Sequence, residues 1–212
     1  MNSQQIASPF LLQAAAFGAY LSAGIFLFNQ TFFYSLSYYI HSNPMGPEAA
    51  PGLKAIDDGA LALVWLAMIP LAAAFLPRHG ARRPVVVLTG IFALGFLGAA
   101  SLGRAYFDVV GSDQSVLAAV LLVGRLAVGL WLIASNAAAL MEGRVPAALG
   151  GLGVLLGLSL PVMPQILATP WLVLVFLAGL PTWQIWLGQR IKDGDIVIPA
   201  KRIDTSVWTR HA

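Results

Sequence analysis

The chain has 212 residues, of which 58% are hydrophobic and only 10% are charged, and its mean hydropathy is +0.80. Soluble domains carry about 25% charged residues, so this composition argues against a soluble fold and predicts an all-α polytopic helix bundle in a membrane. The formal net charge is +3, and the absence of cysteine excludes disulfides, thiolate metal sites and a catalytic thiol.

Six apolar segments are long enough, or nearly so, to cross about 30 Å of hydrocarbon. Continuous apolar runs of this length fit helices rather than the alternating segments of a barrel. The predicted transmembrane helices are residues 9–28, 56–76, 84–102, 115–141, 145–162 and 168–187. They form one transmembrane domain, residues 1–188, followed by a polar cytoplasmic tail, residues 189–212. Because the first eight residues contain no Lys or Arg, the first span is predicted to be retained rather than cleaved as a signal peptide.

The basic residues divide unevenly between the two sides of this topology. Lys54 and Arg104 fall on one side, and Arg125 falls within the fourth span. The other side holds Arg78, Arg82, Arg83, Arg144, Arg190, Lys192, Lys201, Arg202 and Arg210. Because Lys and Arg accumulate on the cytoplasmic side, both termini are predicted to be cytoplasmic, in a multi-pass protein of the bacterial inner membrane. The same distribution argues against nucleic acid as a partner and leaves the lipid bilayer as the expected surrounding.

The longest predicted connection, residues 29–55, lies outside the membrane. Its first part, NQTFFYSLSYYIH, is aromatic and either prolongs the first helix or lies along the interface. Tyr34 and Tyr38 fit an aromatic belt in the headgroup zone, or alternatively a gate or binding wall. The second part, SNPMGPEAAPG, is typical of an irregular loop.

The second helix is predicted to begin at IDDGAL. Asp57 or Asp58 would cap its free N–H groups, and both would favour the positive end of the helix dipole. The alternative is that one of them is the counter-ion of a buried cation. Pro70 is expected to bend this helix near its inner end.

Small residues mark one face of the fifth span. Gly150, Gly153 and Gly157 fall close together on it, and small residues let a neighbouring helix approach closely. This pattern predicts packing inside the monomer, with oligomerisation as the alternative. Pro161 is predicted to end this helix, and Pro181 to interrupt the sixth.

The apolar stretch VGRLAVGLWLIASN contains Arg125, about 15 Å below the outer start of its span. A charge there costs about 2.5–3.5 kcal/mol, so such residues usually face the bundle interior or a wet cavity. Asn136 falls on the same helical stripe. Arg125 therefore pairs with an outer aspartate and locks the bundle, binds an anionic or carbonyl-bearing ligand from outside, or snorkels to the interface.

Several familiar membrane sites are not expected. The histidines, His41, His79 and His211, lie in predicted loops or the tail, which argues against a bis-His haem. No Lys lies within a predicted span, so no retinal Schiff base is expected, and no catalytic or metal-binding motif is found. No intramembrane carboxylate is evident, which weakens proton-coupled transport. We therefore expect no cofactor, no metal and no enzyme machinery.

From Gly124 to Pro161 the chain has a Trp-bearing helix, a short Gly-x-x-Pro loop and small-x-x-Leu-Gly repeats in MEGRVPAALGGLGVLLG. This pattern resembles a family of bacterial six-helix multi-pass membrane proteins of the domain-of-unknown-function type. The resemblance implies six helices and carries over no activity and no catalytic residue.

Two functions are compatible with these observations. The first is a structural or accessory protein that packs its glycine-rich faces against a membrane protein partner or another copy. The second is a small-molecule binding or permeation protein with an outward-facing pocket, whose ligand-binding residues are Arg125, Asn136, Asp57, Asp58, Tyr34 and Tyr38. An outward cavity that reaches Arg125 favours the second, whereas an aspartate within salt-bridge distance of Arg125 favours the first. A membrane enzyme that uses Arg125 with Asp58 is the third hypothesis.

Overall fold

The computed structural model describes residues 9–42, 50–74, 83–111, 115–162 and 170–194. These residues are helical apart from short turns, and no strand occurs among them, which confirms the all-α prediction for this part of the chain. The helices are α1 (Pro9–Ser42), α2 (Ala50–Ala67), α3 (Ile69–Ala74), α4 (Arg83–Val110), α5 (Ser115–Met141), α6 (Ala147–Ser159) and α7 (Pro170–Lys192).

Within the described ranges, four stretches are long and apolar enough to cross a membrane: Pro9–Phe32, Gly52–Ala74, Val85–Val110 and Ser115–Met141. The helix α6 is equally apolar but has only 13 residues, fewer than the roughly 17–25 that a spanning helix needs. The protein therefore has helices of the length and composition that an integral membrane protein requires.

The helices follow one another around the bundle in chain order. Each helix packs against its neighbours in the sequence, and α7 returns to pack against α1. Phe26, Leu94, Leu132 and Trp183 are among the fully buried core side chains. Large apolar side chains also cover the outside, where Phe92 is 71% exposed, as expected of a surface that meets lipid rather than water.

The helices α5 and α6 approach closely where two glycines meet. A Cβ atom on Gly129 would lie 2.5 Å from the carbonyl oxygen of Gly157, and a Cβ atom on Gly157 would lie 2.6 Å from the carbonyl oxygen of Gly129. Gly150 and Gly153 are also buried, and the Asn136 side chain lies directly over Gly153. The prediction that the glycine face packs inside the monomer is confirmed.

The second span is broken between α2 and α3. Pro70 has no N–H to donate, and the N–H of Met68 bonds the carbonyl of Trp65 at 3.2 Å in a tightened turn. The carbonyl of Val64 instead accepts a hydrogen bond from the Ser22 hydroxyl on α1, at 2.9 Å. The predicted bend is confirmed, and the neighbouring helix satisfies a carbonyl at the break.

Three helices continue beyond their predicted limits. α1 runs to Ser42, so the aromatic segment after Asn29 prolongs this helix rather than lying in a loop. α4 runs to Val110, so Arg104 lies on a helix and not in a connection. α7 runs to Lys192, beyond its predicted end at residue 187. It also passes through Pro181, so the predicted interruption there is wrong. The predicted ends of α1 and α4, placed where the apolar runs stop, are too early. The polar residues that follow remain helical because side chains of neighbouring helices bind them.

The start of α2 corrects the predicted role of two aspartates. The helix begins two turns before Asp57, and its first turn contains no acidic residue, so the prediction that Asp57 or Asp58 caps it is wrong. Pro51 did not prevent the earlier start, because proline is tolerated in the first turn of a helix. The helix also places Lys54, Asp57 and Asp58 within the stretch Gly52–Ala74, which is long and apolar enough to span a membrane.

Candidate functional site

Polar side chains from four helices gather at the end of the bundle where α2 and α5 begin. The site lies where the second half of α1 and the last turns of α4 meet the first halves of α2 and α5. We call this cluster the polar centre; its members are Asn29, Lys54, Asp57, Asp58, Arg104, Asp108 and Arg125. Its carboxylates and its cations are equal in number, so its formal charges balance.

Arg104 and Asp58 form the ion pair at the middle of the polar centre. The Nε atom of Arg104 lies 3.1 Å from Oδ2 of Asp58, and the two side chains are 28% and 10% exposed. Neither atom makes a directed hydrogen bond with the described residues, so charge attraction holds the pair. Asp108 is a further electrostatic neighbour of Asp58. In such apolar surroundings, an unpaired charge on either Arg104 or Asp58 would lower the stability of the fold.

Two further contacts engage the remaining carboxylates. The Nζ atom of Lys54 lies 3.2 Å from Oδ1 of Asp108, whose side chain is only 5% exposed. The Nδ2 amide of Asn29 donates a hydrogen bond of 2.5 Å to Oδ1 of Asp57. These contacts join α1 to α2 and α2 to α4.

Arg125 of α5 lies beside this network without joining it directly. Arg104 and Asp58 are its electrostatic neighbours. Among the described residues, no carboxylate lies within 4.0 Å of its guanidinium group, and its side chain is half-buried. Asp58, which was a predicted counter-ion for a buried cation such as Arg125, pairs with Arg104 instead. Asp113, another outer aspartate, lies outside the described residues.

Asn136 occupies a different environment. Its side chain is fully buried among α5, α6 and α7, where the indole Nε1 of Trp183 donates to its Oδ1 at 3.1 Å. Its own Nδ2 donates to the Leu132 carbonyl at 2.8 Å. Asn136 follows Arg125 by eleven residues, which is about 16 Å along the helix axis. The two residues therefore do not line one site.

Of the residues predicted to bind a ligand, the structure brings together Asp57, Asp58 and Arg125. Tyr34 and Tyr38 lie on the helical backbone of α1, but their side chains are outside the described residues. Within the described part of the chain, no group of three His, Asp or Glu side chains could hold a metal ion.

Sequence reasoning missed Arg104 and Asp108 as members of the site. Both were assigned to a connection, although the run LGRAYFDVV continues the apolar pattern of α4. The signal was their spacing, because residues four apart lie on one face of a helix. Their partner helix could not be read from that spacing.

Comparison with known proteins gives no match. No family model matches the chain, and no curated protein or solved structure corresponds to it. The resemblance of residues 124–161 to a bacterial six-helix family therefore stays a prediction, and function is inferred from the geometry of the polar centre.

A second buried polar contact lies closer to the middle of the bundle. Gln184 of α7 is fully buried, and its Nε2 atom donates to the Ser22 hydroxyl at 2.7 Å and lies 3.2 Å from the sulfur of Met68. Ser22 in turn donates to the Val64 carbonyl. This chain of hydrogen bonds joins α7, α1 and the helix break.

Replacing Ser22 with Ala should lower the free energy of unfolding by about 1–2 kcal/mol, because a buried amide and a buried carbonyl both lose a partner. Ser135→Ala is the matched control: Ser135 is equally buried but bonds only carbonyls of its own helix. The Ser135→Ala substitution should lower the free energy of unfolding by much less. Denaturant titration in detergent measures both values, and equal losses would show that the contact between helices adds nothing.

Proposed function

We propose that the chain is a six-pass protein of the bacterial inner membrane that binds a small anionic or carbonyl-bearing molecule at the polar centre. In this proposal α2 and α3 form one broken span, both termini are cytoplasmic, and the polar centre lies in the outer half of the bilayer. Arg125 is the residue that receives the ligand. Asn136, which packs elsewhere, has no part in the site.

The observation that carries the proposal is that Asp58 forms its ion pair with Arg104 and not with Arg125. Asp57 and Asp108 are likewise engaged by residues of neighbouring helices. A cation in an apolar span normally pairs or faces a wet cavity. A guanidinium group presents a planar fork of N–H donors that fits a carboxylate or phosphate with two hydrogen bonds. The donors of Arg125 therefore suit a ligand from outside the protein.

Removing the Arg125 charge should leave the thermal stability of the ligand-free protein unchanged or raise it. The guanidinium has no ion pair to lose among the described residues, and a charge at this depth costs about 2.5–3.5 kcal/mol. The melting temperature of Arg125→Leu in detergent tests this expectation. A clear fall would instead indicate that Arg125 locks the bundle.

Ligand binding is tested by thermal shift with acetate and inorganic phosphate at constant ionic strength. Binding to the folded state alone stabilises by about 2.7 kcal/mol when the ligand is at 100 times its Kd, so the melting temperature should rise with anion concentration. Arg125→Leu should abolish the rise, and Arg125→Lys should keep part of it. Arg190→Leu, at the opposite end of the bundle, should keep all of it. An identical rise in Arg125→Leu would exclude Arg125 as the binding residue.

A structural or accessory role is the second candidate, and the contacts between helices favour it. Asn29 with Asp57 fixes α1 against α2, and the Asp58–Arg104 ion pair fixes α2 against α4. In this role the polar centre holds the helices in register, while the apolar outer surface meets a membrane protein partner or another copy of the chain. Destabilisation by Arg125→Leu, without any anion-dependent shift, would favour it over ligand binding.

The absence of cysteine lets single cysteines report the topology. Gly80→Cys, in the segment between α3 and α4, should react with a membrane-impermeant maleimide only after the membrane is opened. Val109, near the end of α4, is 71% exposed, so Val109→Cys should react with the same maleimide in intact cells. The reverse pattern would place the termini outside and the polar centre in the inner half of the bilayer.

A further inference from the structure

Asp58 lies in the middle of the charges of the polar centre. Its side chain is only 10% exposed, and its ion-pair partner is Arg104. With Asp58 itself, the polar centre holds three carboxylates and three cations, so it is neutral before the proposed anion binds. The charged groups around Asp58 are Lys54 and Asp57 on α2, Arg104 and Asp108 on α4, and Arg125 on α5, whereas α1 contributes the uncharged amide of Asn29.

An anion on Arg125 would disturb this balance. The polar centre would then hold one negative charge more than it has cations to match. An uncompensated charge in apolar surroundings is strongly unfavourable, and buried groups commonly avoid it by changing their protonation state. Uptake of one proton by one of the three carboxylates would remove the excess charge.

Asp58 is the carboxylate that an anion on Arg125 affects most directly. Arg125 has Asp58 as an electrostatic neighbour, so the anion would cancel the attraction between the two. The other two carboxylates keep the partners that they already have, Asp57 from α1 and Asp108 from α2. Oδ2 of Asp58 accepts no directed hydrogen bond from the described residues. A proton can therefore be added there without displacing a donor.

We propose that the anion binds to Arg125 together with one proton, which comes from the solvent and adds to the Asp58 carboxylate. The loaded polar centre is then neutral again. One proton balances one negative charge, so the site suits a monoanion such as a monocarboxylate better than a dianion. This inference rests on the proposed function, because without an anion on Arg125 the charges already balance.

Isothermal titration calorimetry of the full chain in detergent, with acetate in buffers of different ionisation enthalpy, counts the protons. The wild type should take up about one proton per acetate, and the Kd should rise about tenfold for each unit of pH above neutral. Asp58→Asn should bind acetate without proton uptake and with a Kd that does not change with pH. Glu142→Gln removes a carboxylate beyond the last residue of α5 and should behave like the wild type.

The outcomes separate this inference from the proposed function. Acetate binding without proton uptake, or with the same uptake in Asp58→Asn, would overturn the inference and leave anion binding in place. Acetate binding that requires sodium instead of a proton would also overturn it. If the wild type binds no acetate, both the proposed function and the inference are wrong.

Infrared difference spectroscopy locates the proton even if Asp58→Asn does not fold. Addition of acetate at neutral pH should produce the carbonyl band of a protonated carboxylic acid. The band should keep its frequency with isotope-labelled acetate and shift in Asp58→Glu, which retains a carboxyl group. A band that moves with the acetate label would place the proton on the ligand and contradict the inference.

Discussion

Arg104→Leu is expected to lower the free energy of unfolding by about 3–5 kcal/mol, the largest effect of any single substitution in the polar centre. The Asp58 carboxylate would lose its ion-pair partner while remaining 10% exposed. Breaking one side of a buried pair leaves an uncompensated charge, and this accounts for most of the cost. Unfolding in detergent, followed by circular dichroism or by a denaturant titration, measures the loss.

The same reasoning predicts recovery when the second charge is removed. The double variant Arg104→Leu with Asp58→Leu should regain most of the lost stability, because apolar side chains replace a buried ion pair at little cost. Lys192→Leu serves as the control for loss of a cation, since Lys192 is exposed in the last turn of α7. Exposed pairs contribute about 0–1 kcal/mol. If the double variant is as unstable as Arg104→Leu alone, the ion pair is not the source of the loss.

The parts of the fold that follow from the sequence are those that the bilayer itself fixes. A spanning helix needs about 20 apolar residues, so the positions of the long apolar helices could be read from hydropathy. The break at Pro70 and the close packing at Gly157 also follow from local chemistry, because proline lacks an N–H and glycine lacks a side chain. The ends of α1, α2 and α4 did not follow, because polar residues there depend on partners from other helices.

The candidate site shows the same division. Arg125 was found because a charge inside an apolar run is unusual. Arg104 was missed because it lies near the end of its run, and because its pairing with Asp58 depends on how α4 is rotated against α2. The distance along the helix could place Arg125 at the depth of the aspartates. Spacing within one helix, however, does not show with which of two cations an aspartate on another helix forms an ion pair.

The crossing of α5 and α6 at Gly129 and Gly157 gives the second large effect. Gly157→Ala should lower the free energy of unfolding by about 2–3 kcal/mol, the cost of overfilling a packed interior. A methyl group at this position would lie 2.6 Å from the carbonyl oxygen of Gly129. Because that neighbour is backbone and not a flexible side chain, α5 and α6 would have to move apart along their whole contact. Gly129→Ala should have a similar effect, since its Cβ atom would meet the carbonyl oxygen of Gly157.

Gly151→Ala on the same helix should act in the opposite direction. A Cβ atom on Gly151 meets no heavy atom of the described residues within 4 Å, and alanine favours the helix over glycine by about 1 kcal/mol. The same substitution six residues apart should therefore be stabilising at Gly151 and destabilising at Gly157. The double variant of Gly129 and Gly157 should lose less than the sum of the single losses, because separating the helices once relieves both clashes. Full additivity, or a neutral Gly157→Ala, would mean that the two helices do not cross at these glycines.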